Sequence, residues 1–153
     1  MKESRRQLEA IFKPVLKQAG FLKHGATWHK SIEEAVLVLN LQSSEWSDDY
    51  YVNLGIYYKR LGVNYRPPES HCHVRIRLER LVDNRESFLL ALDFEEEMDA
   101  SARTDILTNA IIETGLPWLT EMARIEKLAE FLQQERNLFV HKDVRNLLRK
   151  LVG

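Results

Sequence analysis

YYVNLGIYY, residues 50–58, is the stretch that decides the fold class of this chain. Its side chains alternate in character along the chain. One set is apolar or aromatic throughout: Tyr50, Val52, Leu54, Ile56 and Tyr58. The set between them is mixed: Tyr51, Asn53, Gly55 and Tyr57. Because successive side chains of a β-strand point to opposite faces of the sheet, this alternation predicts a strand with one buried face.

A similar alternation occurs on both sides of this stretch. In residues 35–42 the leucines Leu37, Leu39 and Leu41 share one face. Residues 73–80 place Val74, Ile76 and Leu78 inward and His73, Arg75, Arg77 and Glu79 outward. Residues 26–30, around Trp28, predict a further strand, and we interpret the short apolar run 88–94 as a fifth. One apolar face per strand is typical of an antiparallel sheet covered on one side, with four or five strands in this chain.

Apolar residues at helical spacing mark both ends of the chain. The N-terminal set predicts one helix and comprises Leu8, Ile11, Phe12, Val15, Leu16 and Ala19. Residues 99–114, 125–132 and 144–151 predict C-terminal helices, with Asp99 or Ser101 as the first N-cap and Gly115 as a C-cap before Pro117. The chain is therefore predicted to be a single α+β domain over residues 1–153, with its C-terminal helices packed on one sheet face.

Length, charge and cysteine content exclude several classes of protein. A chain of 153 residues fits one domain that needs no disulfide or metal to stay folded, and its one cysteine, Cys72, cannot form an intrachain disulfide. The formal net charge of −1 disfavours a dedicated nucleic-acid-binding protein, which usually has a strongly basic domain. The sequence has neither the unbroken apolar region of a signal peptide nor a bilayer-spanning stretch. We expect a cytoplasmic protein without a membrane partner.

The outward-facing side chains of the sheet are the candidate binding residues. If helices cover only the inner face, they form an exposed polar, aromatic and basic surface: Tyr51, Asn53, Tyr57, His73, Arg75 and Arg77. Tyrosine and arginine are enriched where proteins bind partners, although both also suit an ordinary solvent-facing strand. The pattern favours a non-enzymatic domain that binds another protein, and an exposed edge strand would also allow a homodimer.

Two alternatives to protein binding remain: a small metal-dependent or thiol enzyme, and an RNA-binding module. His71 and His73 are two apart in a predicted strand and could face one metal, but a zinc site needs three or four ligands and no spacing selects the others. Cys72 between them could be an activated thiol of a small enzyme. No nucleophile elbow, phosphate-binding glycine loop or paired-cysteine motif occurs, so we expect no cofactor and disfavour an enzyme. RNA binding by base stacking on the tyrosines is the third hypothesis.

Four short motifs carry a resemblance to a known family. They are KPVLKQAGFLK at residues 13–23, WHK at 28–30, VNLGI at 52–56 and GLPWL at 115–119. In order and spacing they resemble the bacterial domain-of-unknown-function family 4304. The resemblance implies a bacterial, cytoplasmic, stand-alone domain and supplies no catalytic residues. A role like that of toxin-neutralising immunity proteins is an analogy at the level of such small bacterial domains.

Overall fold

The structure is a computed structural model that describes residues 1–152. One antiparallel sheet forms its centre, and the strands lie side by side in chain order. The strands are β1 (Leu22–His24), β2 (Thr27–Ser31), β3 (Ala35–Ser43), β4 (Tyr50–Tyr58), β5 (Val74–Arg77) and β6 (Phe139–Val140). The two longest, β3 and β4, pair over nine residues from Ala35↔Tyr58 to Ser43↔Tyr50. They form the middle of the sheet.

The helices precede and follow the first five strands. They are α1 (Glu3–Gln18), α2 (Arg85–Ala91), α3 (Ala100–Asn109), α4 (Leu116–Met122), α5 (Ile125–Leu132) and α6 (Lys142–Val152). Gly20 follows α1 and has a φ of 93°. Helices often end in this left-handed conformation, which glycine adopts easily because it has no Cβ. Within the described chain, every helix is too short or too polar to cross a membrane.

The inner face of the sheet holds the hydrophobic core. Leu37, Leu39 and Leu41 of β3 are buried there, and the alternate residues of β4 join them as the sequence pattern predicts. From α1, Leu8, Phe12 and Leu16 complete the same cluster, and the helices of the C-terminal third contribute the rest. The Tyr58 hydroxyl donates to the Met122 carbonyl oxygen at 2.6 Å and joins β4 to α4. The predicted α+β architecture, with helices on this face, is confirmed.

The strand predicted for residues 88–94 is wrong. These residues contribute most of α2 and the turn after it. The sheet nevertheless has six strands, because two short strands that the pattern does not predict, β1 and β6, form its edges. The Asn84 side chain accepts a hydrogen bond from the Ser87 N–H at 3.0 Å and caps α2. Phe88, Ala91 and Leu92 are all buried, and their i, i+3, i+4 spacing is that of a helix face.

The predicted helix end at Gly115 is also wrong. The chain remains helical from α3 into α4, and Gly115 has a helical φ of −64°. Residues Ala110–Gly115 form a short π-helical segment that ends two residues before Pro117. Proline lacks a backbone N–H, so a wider turn before it accommodates the missing hydrogen bond without ending the helix.

A groove lined by arginines on the outer sheet face

The outer face of the sheet is divided into two halves. Residues 59–72, which connect β4 to β5 and which we name the strap, lie over the half formed by β2 and the adjoining ends of β3 and β4. Val36 and Val38 of β3 are buried there against Cys72 of the strap, with Tyr57 packed beside them. The sequence-based expectation of one bare outer face is therefore wrong for this half. We name it the covered half.

Gly55 allows the strap to lie directly on β4. A Cβ at this position would be 2.6 Å from the Cys72 Sγ and 2.9 Å from the Cys72 Cβ, closer than real side chains approach. Glycine in the interior of a strand often marks such a close approach of another backbone. The glycine in the VNLGI motif is thus a packing requirement of the strap.

His29 fixes the strap through a buried hydrogen bond. Its Nε2–H donates to the Pro67 carbonyl oxygen at 2.8 Å, while its Nδ1 is buried without a partner. Burial lowers the pKa of His29, and the hydrogen bond to Pro67 opposes part of that change. A neutral imidazole satisfies both observations, since it has one donor nitrogen and one nitrogen without a proton.

His73 is a structural residue of the covered half and does not face solvent. It is only 6% exposed, its Nδ1 accepts a hydrogen bond from the Tyr58 N–H at 2.9 Å, and its ring centroid lies 4.4 Å from that of Tyr57. Burial lowers the pKa of His73; nearby His141 also lowers it and Asp143 opposes the change. Two of the candidate binding residues, Tyr57 and His73, are thus packed against each other.

The His71-Cys72-His73 sequence does not form a common site. His71 is exposed on a 3-10 turn at Glu69–His71, whereas His73 is buried. Burial raises the pKa of the Cys72 thiol, with the Glu69 carboxylate adding to the effect, so the thiol stays protonated. In the described part of the chain, no three His, Cys, Asp or Glu side chains are grouped so that they could hold a metal ion.

The other half of the outer face is open and contains a groove of about 720 Å³. We name this half the open half and the cavity the arginine groove. Its lining comprises Gln42, Asn53, Glu69, Arg75, Ile76, Arg77, Arg80, Arg136, Asn137, Leu138 and Phe139. The volume is within the range of small-molecule sites. Four of these side chains are arginines, which makes the groove basic in a protein of net charge −1.

Asn53 forms the rigid floor of the arginine groove. Its Nδ2 donates to the Asn40 Oδ1 at 3.1 Å and to the Gln42 Oε1 at 2.9 Å, and the residue is 7% exposed. The Asn40 Nδ2 in turn donates to the Thr27 Oγ1 at 3.0 Å. This amide chain crosses three strands and fixes the side-chain orientations of the floor.

The arginines of the groove differ in their partners. Arg75 forms a two-point ion pair with Glu69 of the strap, with Nε–Oε1 at 2.9 Å and Nη2–Oε2 at 3.3 Å. The Arg77 guanidinium lies over the Tyr51 ring, 3.9 Å from its centroid. In residues 1–152, no carboxylate forms an ion pair with Arg77, Arg80 or Arg136. Three of the four guanidinium groups at the groove are therefore not neutralised within the described chain.

The structure brings together only part of the predicted surface. Asn53, Arg75 and Arg77 line the groove, and Tyr51 supports Arg77. Arg80 and Arg136 are additional lining residues that sequence reasoning missed. The predicted strand over residues 73–80 ends at Arg77, and the 3-10 turn Leu78–Arg80 changes the direction of the side chains that follow. The stretch 133–138, which contains Arg136, has no periodicity, so no signal in the sequence assigns it to the groove.

Comparison with known proteins gives one result. Neither the curated proteins nor the solved structures contain a match to this chain. A family model matches residues 12–121, which is well over half of the chain and includes β1–β5, the strap and the groove residues up to Arg80. The part of the groove wall at residues 136–139 lies outside the matched segment. The chain belongs to the family described as Domain of unknown function (DUF4304).

Proposed function

We propose that this protein is a non-enzymatic binding domain that binds another protein in the arginine groove. The observation that carries the proposal is the convergence of Arg77, Arg80 and Arg136 on one groove without an intramolecular carboxylate partner in the described chain. Like charges held close together repel and destabilise the compact state. Such an arrangement is explained when a partner supplies the opposite charge.

The chemistry of the lining supports binding over catalysis. Apart from the arginines, Glu69 is the only titratable group among the described lining residues, and it is held by Arg75. Arginine remains protonated at all physiological pH values, so it neither donates nor accepts protons in general acid–base chemistry. Amide side chains do not titrate either. The groove thus offers charge and hydrogen bonds for recognition, and its one free cysteine neighbour, Cys72, is buried.

The packing of the tyrosines favours a protein partner over RNA. Arg77 covers one face of the Tyr51 ring, and Tyr57 is packed against His73 in the covered half. Base recognition by a sheet depends on aromatic rings with a free face, so these two side chains are poorly placed for it. Arginine beside exposed Phe139 is a combination enriched at protein–protein interfaces.

The proposal is tested by co-purification from cells of the native host with reversed charges in the groove. The double variant Arg80→Glu/Arg136→Glu replaces two unpaired guanidinium groups, and Arg149→Glu in α6, outside the groove lining, is the matched control. We expect the wild type and the control to retain a protein that the groove variant loses. Arg75 is left unchanged, because a glutamate there would face Glu69 and disturb the strap.

A partner that the double variant retains would contradict the proposal, as would the absence of any protein specific to the wild type. Circular dichroism of the variants shows whether the loss is due to unfolding. Because Arg80 and Arg136 have no ion-pair partner in the described residues, we expect their replacement to leave the fold intact.

A further inference from the structure

We infer that the arginine groove recognises an acidic segment of its partner that is rich in carboxylates. Within the chain, the Glu69 carboxylate pairs with Arg75 and takes the place of one carboxylate of the partner. The inference rests on the proposed function and adds the chemical nature of the ligand. It depends on three features: the ion pair already present in the groove, the arginines without such a pair, and the apolar wall beside them.

The first feature is the geometry of the ion pair itself. Glu69 comes from the strap and reaches across to the groove wall, where both of its oxygens contact the Arg75 guanidinium. Its side chain is only 12% exposed, so this carboxylate is largely removed from water. The planar fork of arginine matches two carboxylate oxygens, and such paired hydrogen bonds are stronger than neutral ones. The groove therefore already holds one carboxylate in a specific geometry.

The second feature is the unbalanced charge that remains. Four arginines and one glutamate line the groove, so its net formal charge is 4 − 1 = +3. Arg77 is held in place by the Tyr51 ring, which limits the conformational entropy that it would lose on binding. A segment with several Asp or Glu residues supplies charges complementary to this set.

The third feature separates a peptide from a phosphate polymer. Leu138 and Phe139 form an apolar wall next to the arginines, and Phe139 is 46% exposed. A peptide can place side-chain methylene groups on this wall while its carboxylates reach the arginines. A phosphate backbone satisfies the charges but offers nothing apolar to cover the wall. The mixed lining favours an acidic peptide.

Glu69 makes the inference testable by a gain of affinity. Replacing it with glutamine keeps its size but removes the charge that neutralises Arg75. The strap remains attached through the His29–Pro67 hydrogen bond and the burial of Cys72, neither of which involves the Glu69 carboxylate. A released Arg75 then becomes the fourth arginine available to the ligand. The fold brings the four arginines of the groove together, so we expect damage to the fold to weaken binding instead of tightening it.

The experiment measures fluorescence anisotropy of a labelled polyglutamate peptide with the purified full chain at low salt. A polyglutamine peptide of equal length is the uncharged control, and inorganic polyphosphate tests the other source of negative charge. We expect polyglutamate to bind, Arg80→Gln/Arg136→Gln to weaken it at least tenfold, and Glu69→Gln to tighten it about threefold. Arg149→Gln should leave the affinity unchanged.

Three results would overturn the inference: no binding of polyglutamate, no tightening by Glu69→Gln, or tighter binding of polyphosphate than of polyglutamate. Its failure can be distinguished from that of the proposed function. If Arg80→Glu/Arg136→Glu releases the co-purified partner but polyglutamate neither binds nor displaces it, the groove is a protein-binding site whose ligand is not acidic. If the partner survives the charge reversal, the proposed function itself is wrong.

Discussion

The covered half and the open half of the outer sheet face share β3 and β4 and yet have different properties. In the covered half, the strap buries Val36 and Val38 together with Cys72. In the open half, the same face of β3 and β4 presents Gln42 and Asn53 to a groove bordered by arginines. The difference shows that the alternation of side chains along a strand determines which face of the sheet each side chain is on. Whether that face is buried depends on where the strap between β4 and β5 lies.

The two halves also separate stability from binding. Packing of the strap removes apolar side chains from water and therefore stabilises the fold. The arginine groove concentrates positive charge without equivalent compensation within residues 1–152, and so it contributes little to stability. Changes in the covered half should consequently affect unfolding, and changes in the open half should affect binding.

The largest expected effect is that of Gly55→Val. Its added side chain would collide with Cys72 and displace the strap, so the free energy of unfolding should fall by about 3 kcal/mol. Valine suits a strand, so the loss would not come from β-propensity. Tyr51→Val, on the same face of β4 in the open half, is the control and should cost no more than about 1 kcal/mol. Equilibrium urea denaturation measures both; equal losses would mean that the halves do not differ in packing.

The next effect is that of His29→Leu. The Pro67 carbonyl oxygen would lose its buried donor, although the unpartnered Nδ1 of His29 would disappear at the same time. We expect a net loss of about 1 kcal/mol in the free energy of unfolding, measured by the same denaturation method. The strap should also open more often, which is detectable as faster amide hydrogen exchange in residues 59–72. Unchanged exchange there would show that the hydrogen bond does not hold the strap.

The covered half should make stability depend on pH below neutrality. Burial lowers the pKa values of both His29 and His73 in the folded state. As the pH falls below about 6.5, the unfolded chain takes up protons that the folded chain does not, so stability decreases. Above that pH, neither state binds these protons and the effect is absent. Denaturation at a series of pH values should show a weaker decrease for His29→Leu than for the wild type; an identical decrease would contradict the buried neutral state of His29.

The smallest effect on stability should come from the arginines of the open half. Arg80→Gln and Arg136→Gln remove no ion pair within the described chain, so each should change the free energy of unfolding by less than about 0.5 kcal/mol. The same variants are expected to weaken polyglutamate binding strongly. A large loss of stability in either variant would show that the guanidinium group has a structural role and would weaken the distinction between the two halves.

Much of the fold follows from local patterns in the sequence. The alternation in β3 and β4 and the helical spacing in α1 both identify the inner face, because a buried face needs apolar residues at the period of its backbone. The run 88–94 does not reveal its own structure, because a short apolar stretch fits either period; the N-cap Asn84 before it is the local feature that favours a helix. The candidate site was predicted only in part: Asn53, Arg75 and Arg77 line the groove, while Tyr57 and His73 are packed in the covered half.

The sequence by itself determined the α+β class, the inner face and the family to which the chain belongs, since each depends on patterns between residues close in the chain. Only the tertiary structure decided that the strap covers half of the outer face and that Arg136, from beyond α5, meets Arg77 and Arg80 of the β5 region. Both arrangements bring together segments that are far apart in the chain. The period of two in a strand carries no information about which distant segment will cover that strand.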